Sequence, residues 1–192
     1  MNWKEYKKLS ERTFSYIEDL NKDLNNKQLI DTLNKAHCAI GINTELGELI
    51  TAIVNKDAVN ITEELGDICW YIANLERLIE YNEEGLPVIK NKVDNIDMGN
   101  TIIESTELLD IYKKAIYYNR PINNISVINH LENIKMFVAN TCKMHEAKID
   151  VMLNTNINKL KVRFPDKFNV DDANNRNIKK EYETMQENIT NK

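Results

Sequence analysis

At 192 residues, with only five glycines and three prolines, the chain is long enough to bury one full core, and nothing in it demands a second. A formal net charge of −5 argues against a nucleic-acid polymer as ligand, because tracking phosphates needs a basic surface, whereas a free nucleotide arriving with its metal stays compatible. Cys38, Cys69 and Cys142 show no C-x-x-C spacing and read as reduced core residues; the N-terminus lacks an apolar signal run and no stretch approaches a membrane span, so a cytoplasmic protein with no membrane partner is expected.

Apolar residues recur every three to four positions almost throughout, which predicts an all-α fold. Trp3, Tyr6, Leu9, Thr13, Ile17, Leu20 and Leu24 place a first amphipathic helix over 3–24. The pattern resumes at Leu29 and runs through Leu33, Ala36 and Ile40, giving one helix over 28–54 or two joined at Gly41. His37 lies just upstream of a first pair of acids, and a lone histidine on a helix is more often a core or surface residue than a ligand.

Those acids, Glu45 and Glu48, are spaced three apart, and Glu64 and Asp67 repeat the spacing further on. Residues three apart share a helix face, so each pair presents two carboxylates side by side. Leu46, Leu49, Ile50 and Ile53 interleave the first pair, and Leu65, Ile68, Trp70 and Ile72 the second, so the acids border a packing face where bare charge is costly. Between the pairs stands a short polar break, Asn55-Lys56-Asp57, then Asn60 with Glu63 three residues on, the pattern of an N-cap with a capping box. A break that short predicts antiparallel neighbours and brings all four carboxylates together. Four like charges meeting in a bundle need something positive between them, and all-oxygen ligation points to Mg²⁺ or Mn²⁺. A solvated helix face is the commoner origin of any single such pair; two matched pairs across one short turn shift the weight towards a site.

The helix carrying Glu64 and Asp67 is expected over about 61–81, with Trp70 and Tyr71 as plain core or as stacking surface for a flat base. Asn82-Glu83-Glu84-Gly85-Leu86-Pro87 supplies its stop, glycine as C-cap and proline beyond. Residues 88–100 show no clear period and read as a loop or a short turn of helix. A further helix over 101–118 contains Asp110 and Lys113 on one face, where an intrahelical surface ion pair is one reading, and Ser126 to about Met144 forms the next, with Val127, Leu131, Ile134, Val138 and Cys142 inward. Asp150 is placed as the N-cap of a helix over 151–164. On it Asn156, Lys159 and Arg163 form one stripe and Ile157, Leu160 and Phe164 the apolar stripe beside it. Two cations and an amide on one face could grip a polyphosphate, arginine as a fork and lysine as a point charge; a basic solvated face is the alternative. We read 1–168 as a single domain and 169–192 as a polar, helical C-terminal tail.

The segment GINTELGELITAIVNKDAVNITEELGDICWYIA resembles the metal-binding signature of the MazG-like nucleotide pyrophosphohydrolases, E-x-x-E, a spacer, then E-x-x-D. That all-α superfamily also contains dimeric dUTPases and phosphoribosyl-ATP pyrophosphohydrolases. NINKLKVRFPDKF resembles the C-terminal motif of one branch, N-x-x-K-L-x-x-R-[FY]-P-x-x-F. Asp110 with Lys113 matches a D-x-x-K pattern at the corresponding place, and Arg12 with Thr13 a weaker one. Residues 172–181 are similar to the branch's terminal segment, with Asn175 and Arg176 matching and Asn177 standing where aspartate is usual.

The resemblance implies an antiparallel helical bundle in which Glu45, Glu48, Glu64 and Asp67 hold Mg²⁺ and serve catalysis. It implies substrate contacts by Asn156, Lys159, Arg163, Asp110 and Lys113, and a homodimer or homotetramer. The expected reaction is hydrolysis of a nucleoside triphosphate to the monophosphate and pyrophosphate. A helical nucleotide sensor that does not hydrolyse its ligand is the second reading. A di-iron bundle would need Glu-x-x-His motifs, and none of the three histidines stands three residues after a glutamate.

Overall fold

The computed structural model describes residues 1–14, 27–81, 85–87 and 98–190, and among them every regular element is a helix. The elements are α1 (Trp3–Glu11), α2 (Lys27–Asn55), α3 (Ala58–Leu78), α4 (Met98–Tyr118), α5 (Asn124–Met144), α6 (Ile149–Arg163), α7 (Val170–Asn174) and α8 (Ile178–Thr190). The protein is thus an all-α bundle, as its apolar periodicity predicts. Among the described residues no helix is long and apolar enough to cross a membrane. Ile17, Leu20 and Leu24, residues 82–84 and most of the expected loop, 88–97, lie outside the described residues.

The α2–α3 hairpin is the centre of the bundle. Ile42, Leu46 and Leu49 of α2 and Leu65, Ile68 and Ile72 of α3 are buried in one continuous core. α4 lies against α2, α5 against α4 and α3, and α6 against α3. The turn that makes the hairpin is tighter than its polar sequence suggests. Lys56 takes a left-handed conformation (φ 56°), and its N–H and that of Asp57 return to the Ile53 and Ala52 carbonyls. Asp57 then caps α3, its Oδ1 accepting from the Asn60 N–H at 3.1 Å. The cap is therefore Asp57 rather than Asn60, because the closing bonds of α2 leave Asp57 already extended at the next helix start.

α2 is a single unbroken helix through Gly41. A Cβ there would stand 2.3 Å from the Tyr71 ring, so the missing side chain is what lets α3 close on α2. The other boundaries move for similar local reasons. The first helix stops at Glu11 rather than running through 24, because residues 12–14 turn inward: Phe14 and Thr13 are buried, and the Trp70 indole N–H reaches the Ser10 carbonyl and Thr13 Oγ1, both at 3.1 Å. α3 ends at Leu78, before the expected glycine stop, since Glu80 itself adopts φ 58° and Tyr81 N–H closes on the Glu76 carbonyl. α4 starts at Met98, inside the stretch expected as loop, and α6 starts at Ile149, so Asp150 sits in its first turn instead of capping it. Val127, Leu131, Ile134, Val138 and Cys142 all face inward on α5, and all three cysteines are free and buried.

Candidate metal and nucleotide site

Because α2 and α3 meet at so short a turn, Glu48 and Glu64 are equidistant in sequence from Lys56, as are Glu45 and Asp67. The hairpin thereby sets the two acidic pairs side by side. Glu45, Glu48 and Glu64 converge, with one oxygen of each within 4.8 Å of the others. Glu48 is exposed, Glu45 half-buried, and Glu64 buried at 8 % exposure.

Glu45 and Glu64 stand close enough for each carboxyl to bear on the other's proton. Burial pushes the Glu64 carboxyl upward, and the charges of Asp67, Glu63 and Glu45 add to it. Glu45 is raised by burial and then by Asp67 and Glu48. Such a pocket holds protons or cations avidly. The donor set is all carboxylate oxygen, so it fits a hard divalent cation such as Mg²⁺ or Mn²⁺.

Asp67 lies beside this trio and has other partners. Its Oδ1 accepts from Asn156 Nδ2 at 2.6 Å and its Oδ2 from Lys159 Nζ at 2.5 Å. Lys159, 1 % exposed, also reaches Glu63 Oε1 at 3.1 Å. The stripe on α6 is therefore not a solvated face: two of its three members are buried against the acids of α3. Asn156 is oriented by a residue from the far end of the chain, Tyr6, whose hydroxyl lies 2.7 Å from Asn156 Oδ1 and 2.9 Å from the Gly66 carbonyl. Gly66 permits this approach, since a Cβ there would meet Asn156 Cβ at 2.9 Å.

A cavity of about 230 Å³ opens beside Glu45 and Asp67, walled by His37, Trp70, Tyr71 and Phe164, with Arg163 at its edge. Tyr71 stands edge-on to both His37 and Trp70, with ring centroids 5.7 and 4.9 Å apart. Burial lowers the proton affinity of His37 and so favours a neutral ring in this wall. A larger cavity of about 500 Å³, bounded by α4 and α5 and lined by Asn100, Glu104 and Asn140 among others, lacks this cluster of acids; chemistry rather than volume selects the first.

Arg163 turns to the C-terminal helix. Its Nε and one terminal nitrogen bond Glu181 at 3.2 and 2.7 Å, and Arg176 binds the same carboxylate at 2.8 Å. Asn177, which departs from the usual aspartate, accepts from the Lys180 N–H at 3.1 Å, a helix-start bond that aspartate would make equally. Arg12 is likewise held: one terminal nitrogen donates to the Phe164 carbonyl at 2.6 Å and to that of Asp166.

The structure does not bring Asp110 and Lys113 to this site. Asp110 forms ion pairs with Lys113 and Lys114 of its own helix, which hold its carboxyl below the ordinary range. Sequence reasoning passed over Tyr6, Glu63 and Glu181. Glu63 was read as a capping-box residue, and Tyr6 carried only the signal of an apolar helix face. Glu181 stood in the segment similar to the family's terminal stretch, the one available hint.

Residues 36–86 match the family model of the MazG nucleotide pyrophosphohydrolase domain. The likeness to that domain covers most of the α2–α3 hairpin and the residues just after it. All four acids fall inside the matched segment, while Asn156, Lys159 and Arg163 lie beyond it. A MazG domain points to nucleotide pyrophosphohydrolase activity in general terms. No curated protein and no solved structure gives a significant match to the chain.

Proposed function

We propose that the protein is a Mg²⁺-dependent nucleoside triphosphate pyrophosphohydrolase that releases a nucleoside monophosphate and pyrophosphate. The observation that carries this reading is the convergence of Glu45, Glu48 and Glu64 across the α2–α3 turn beside an aromatic cavity. In the reaction a water oxygen bonds the α-phosphorus, the bond from that phosphorus to the α–β bridging oxygen breaks, and pyrophosphate leaves with the electron pair.

Glu45, Glu48 and Glu64 would hold the cation, with Asp67 beside them; when bound, Mg²⁺ or Mn²⁺ supplies charge neutralisation on the phosphate oxygens. One of the glutamates orients the water or takes its proton. Asn156 and Lys159 position Asp67, and Arg163 offers its remaining N–H groups to phosphate. Trp70, Tyr71 and Phe164 offer faces and edges for a base. Asp110 and Lys113 would contribute only through assembly, meeting substrate held by a second copy, in keeping with a homodimer or homotetramer. The protein is expected to act in the cytoplasm on free nucleotides.

The test is pyrophosphate release from a panel of ribo- and deoxyribonucleoside triphosphates, with Mg²⁺ and with EDTA, beside Glu64→Gln. Metal-dependent release that the variant lacks supports the reading. Tight binding of one nucleotide with no release would instead establish a sensor, a reading favoured by one observation: Lys159 and Arg163 are already paired with carboxylates.

A further inference from the structure

We infer that Glu181, on the C-terminal helix α8, is the positioning residue for Arg163, making the tail part of the phosphate-binding apparatus. The inference rests on the reading of Arg163 as a phosphate contact and names what sets that contact's geometry.

Arginine presents five N–H donors in a planar fork, and which edge is occupied decides which edge is offered. Glu181 takes the Nε edge, which leaves the other edge of the guanidinium to be offered, and Arg163 lines the cavity that Glu45 and Asp67 also line. Glu181 is 1 % exposed, and its helix reaches α6 with Met185 also buried. Burial alone would raise the Glu181 carboxyl; Arg163 and Arg176 outweigh it and keep the group charged.

A buried carboxylate between two guanidinia binds them more strongly than a lone surface pair does. Arg176, half-exposed, neutralises the charge that Glu181 does not share with Arg163. Arg163 therefore keeps much of its positive potential toward the cavity. A purely structural tail could have been pinned by apolar contacts such as Met185 alone. The carboxylate adds direction to the cation of the Asn156–Lys159–Arg163 stripe that Asp67 does not hold.

The experiment is a double-mutant cycle of Glu181→Gln and Arg163→Lys, read by kcat and KM for pyrophosphate release together with thermal midpoints. Lysine keeps the charge but has no fork to orient. The expected result is a roughly tenfold loss of kcat/KM in Glu181→Gln, a similar loss in Arg163→Lys, and little further loss in the double variant, because both act through one guanidinium. Independent, multiplying losses that track a fall in thermal midpoint would overturn the inference and leave Glu181 a structural anchor. Full activity in Glu181→Gln would overturn it as well, with the hydrolase reading intact. A wild-type protein that releases no pyrophosphate from any nucleotide overturns both.

Discussion

Helix α3 buries two carboxylates in opposite ways. Near its C-terminus Glu76, 0 % exposed, is met on all sides by donors: Lys7 at 2.8 Å, Lys135 at 3.1 Å and the Trp3 indole at 2.9 Å. More than three turns towards the N-terminus, Glu64 is nearly as buried and faces Glu45, Glu48 and Asp67. The first arrangement satisfies its charge from within the fold and ties α1 and α5 to α3. The second gathers acids against one another, and of these Asp67 is met by Lys159 and Asn156. A buried acid with its own cations is architecture; a buried acid among acids is a site.

The contrast can be broken first on activity. Glu64→Gln should reduce pyrophosphate release by on the order of 10²–10⁴-fold while leaving helicity unchanged and the metal-free thermal midpoint equal or higher, since the amide stays neutral where burial and neighbouring acids oppose ionisation of the carboxyl. Glu76→Ala should do the reverse. It takes one of two carboxylates from buried Lys135, which keeps Glu132 at 2.8 Å, and removes the carboxylate partner of Lys7 and the Trp3 indole, costing about 3 kcal/mol in denaturant melts. A comparable stability loss in both variants would erase the distinction.

pH sharpens the same comparison. Glu45 and Glu64 are raised in the folded protein by burial first and by neighbouring acids next. The native state therefore binds more protons than the unfolded chain from the ordinary carboxylate value of 4.5 upward, and metal-free stability should fall as pH rises from there through neutrality. Saturating Mg²⁺ should flatten that slope, as should Glu64→Gln, when thermal midpoints are recorded across the range. The smallest effect is expected at Gly41→Ala. Alanine gains about 1 kcal/mol of helix propensity but must displace the Tyr71 ring, an overpacking of about 1–3 kcal/mol, so the thermal midpoint should fall modestly while KM rises.

The hairpin was legible because its signals are local: acid spacing, apolar interleaving and a polar break all lie within one stretch of chain. The cap positions were less so. Asp57 and Asn60 are both competent caps, and the left-handed turn at Lys56 that selects Asp57 carries no glycine to announce it. The carboxylate trio followed from spacing, yet the partners of Asp67 did not, because Tyr6 reaches Asn156 across the whole bundle. The α6 motif suggested cations aimed at phosphate; burial of Lys159 against Asp67 and Glu63 is a tertiary fact with no periodic signature. Arg163 and Glu181 belong to different helices, and the polar tail hides its one buried acid among exposed ones.

The Tyr6–Asn156 hydrogen bond spans 150 residues of sequence, and Asp67 is completed only by α6. On a ribosome the acidic hairpin can close as soon as it emerges, but its four like charges then wait for Asn156 and Lys159 to be synthesised. A nascent chain halted before α6 would thus present an acidic hairpin without its lysine.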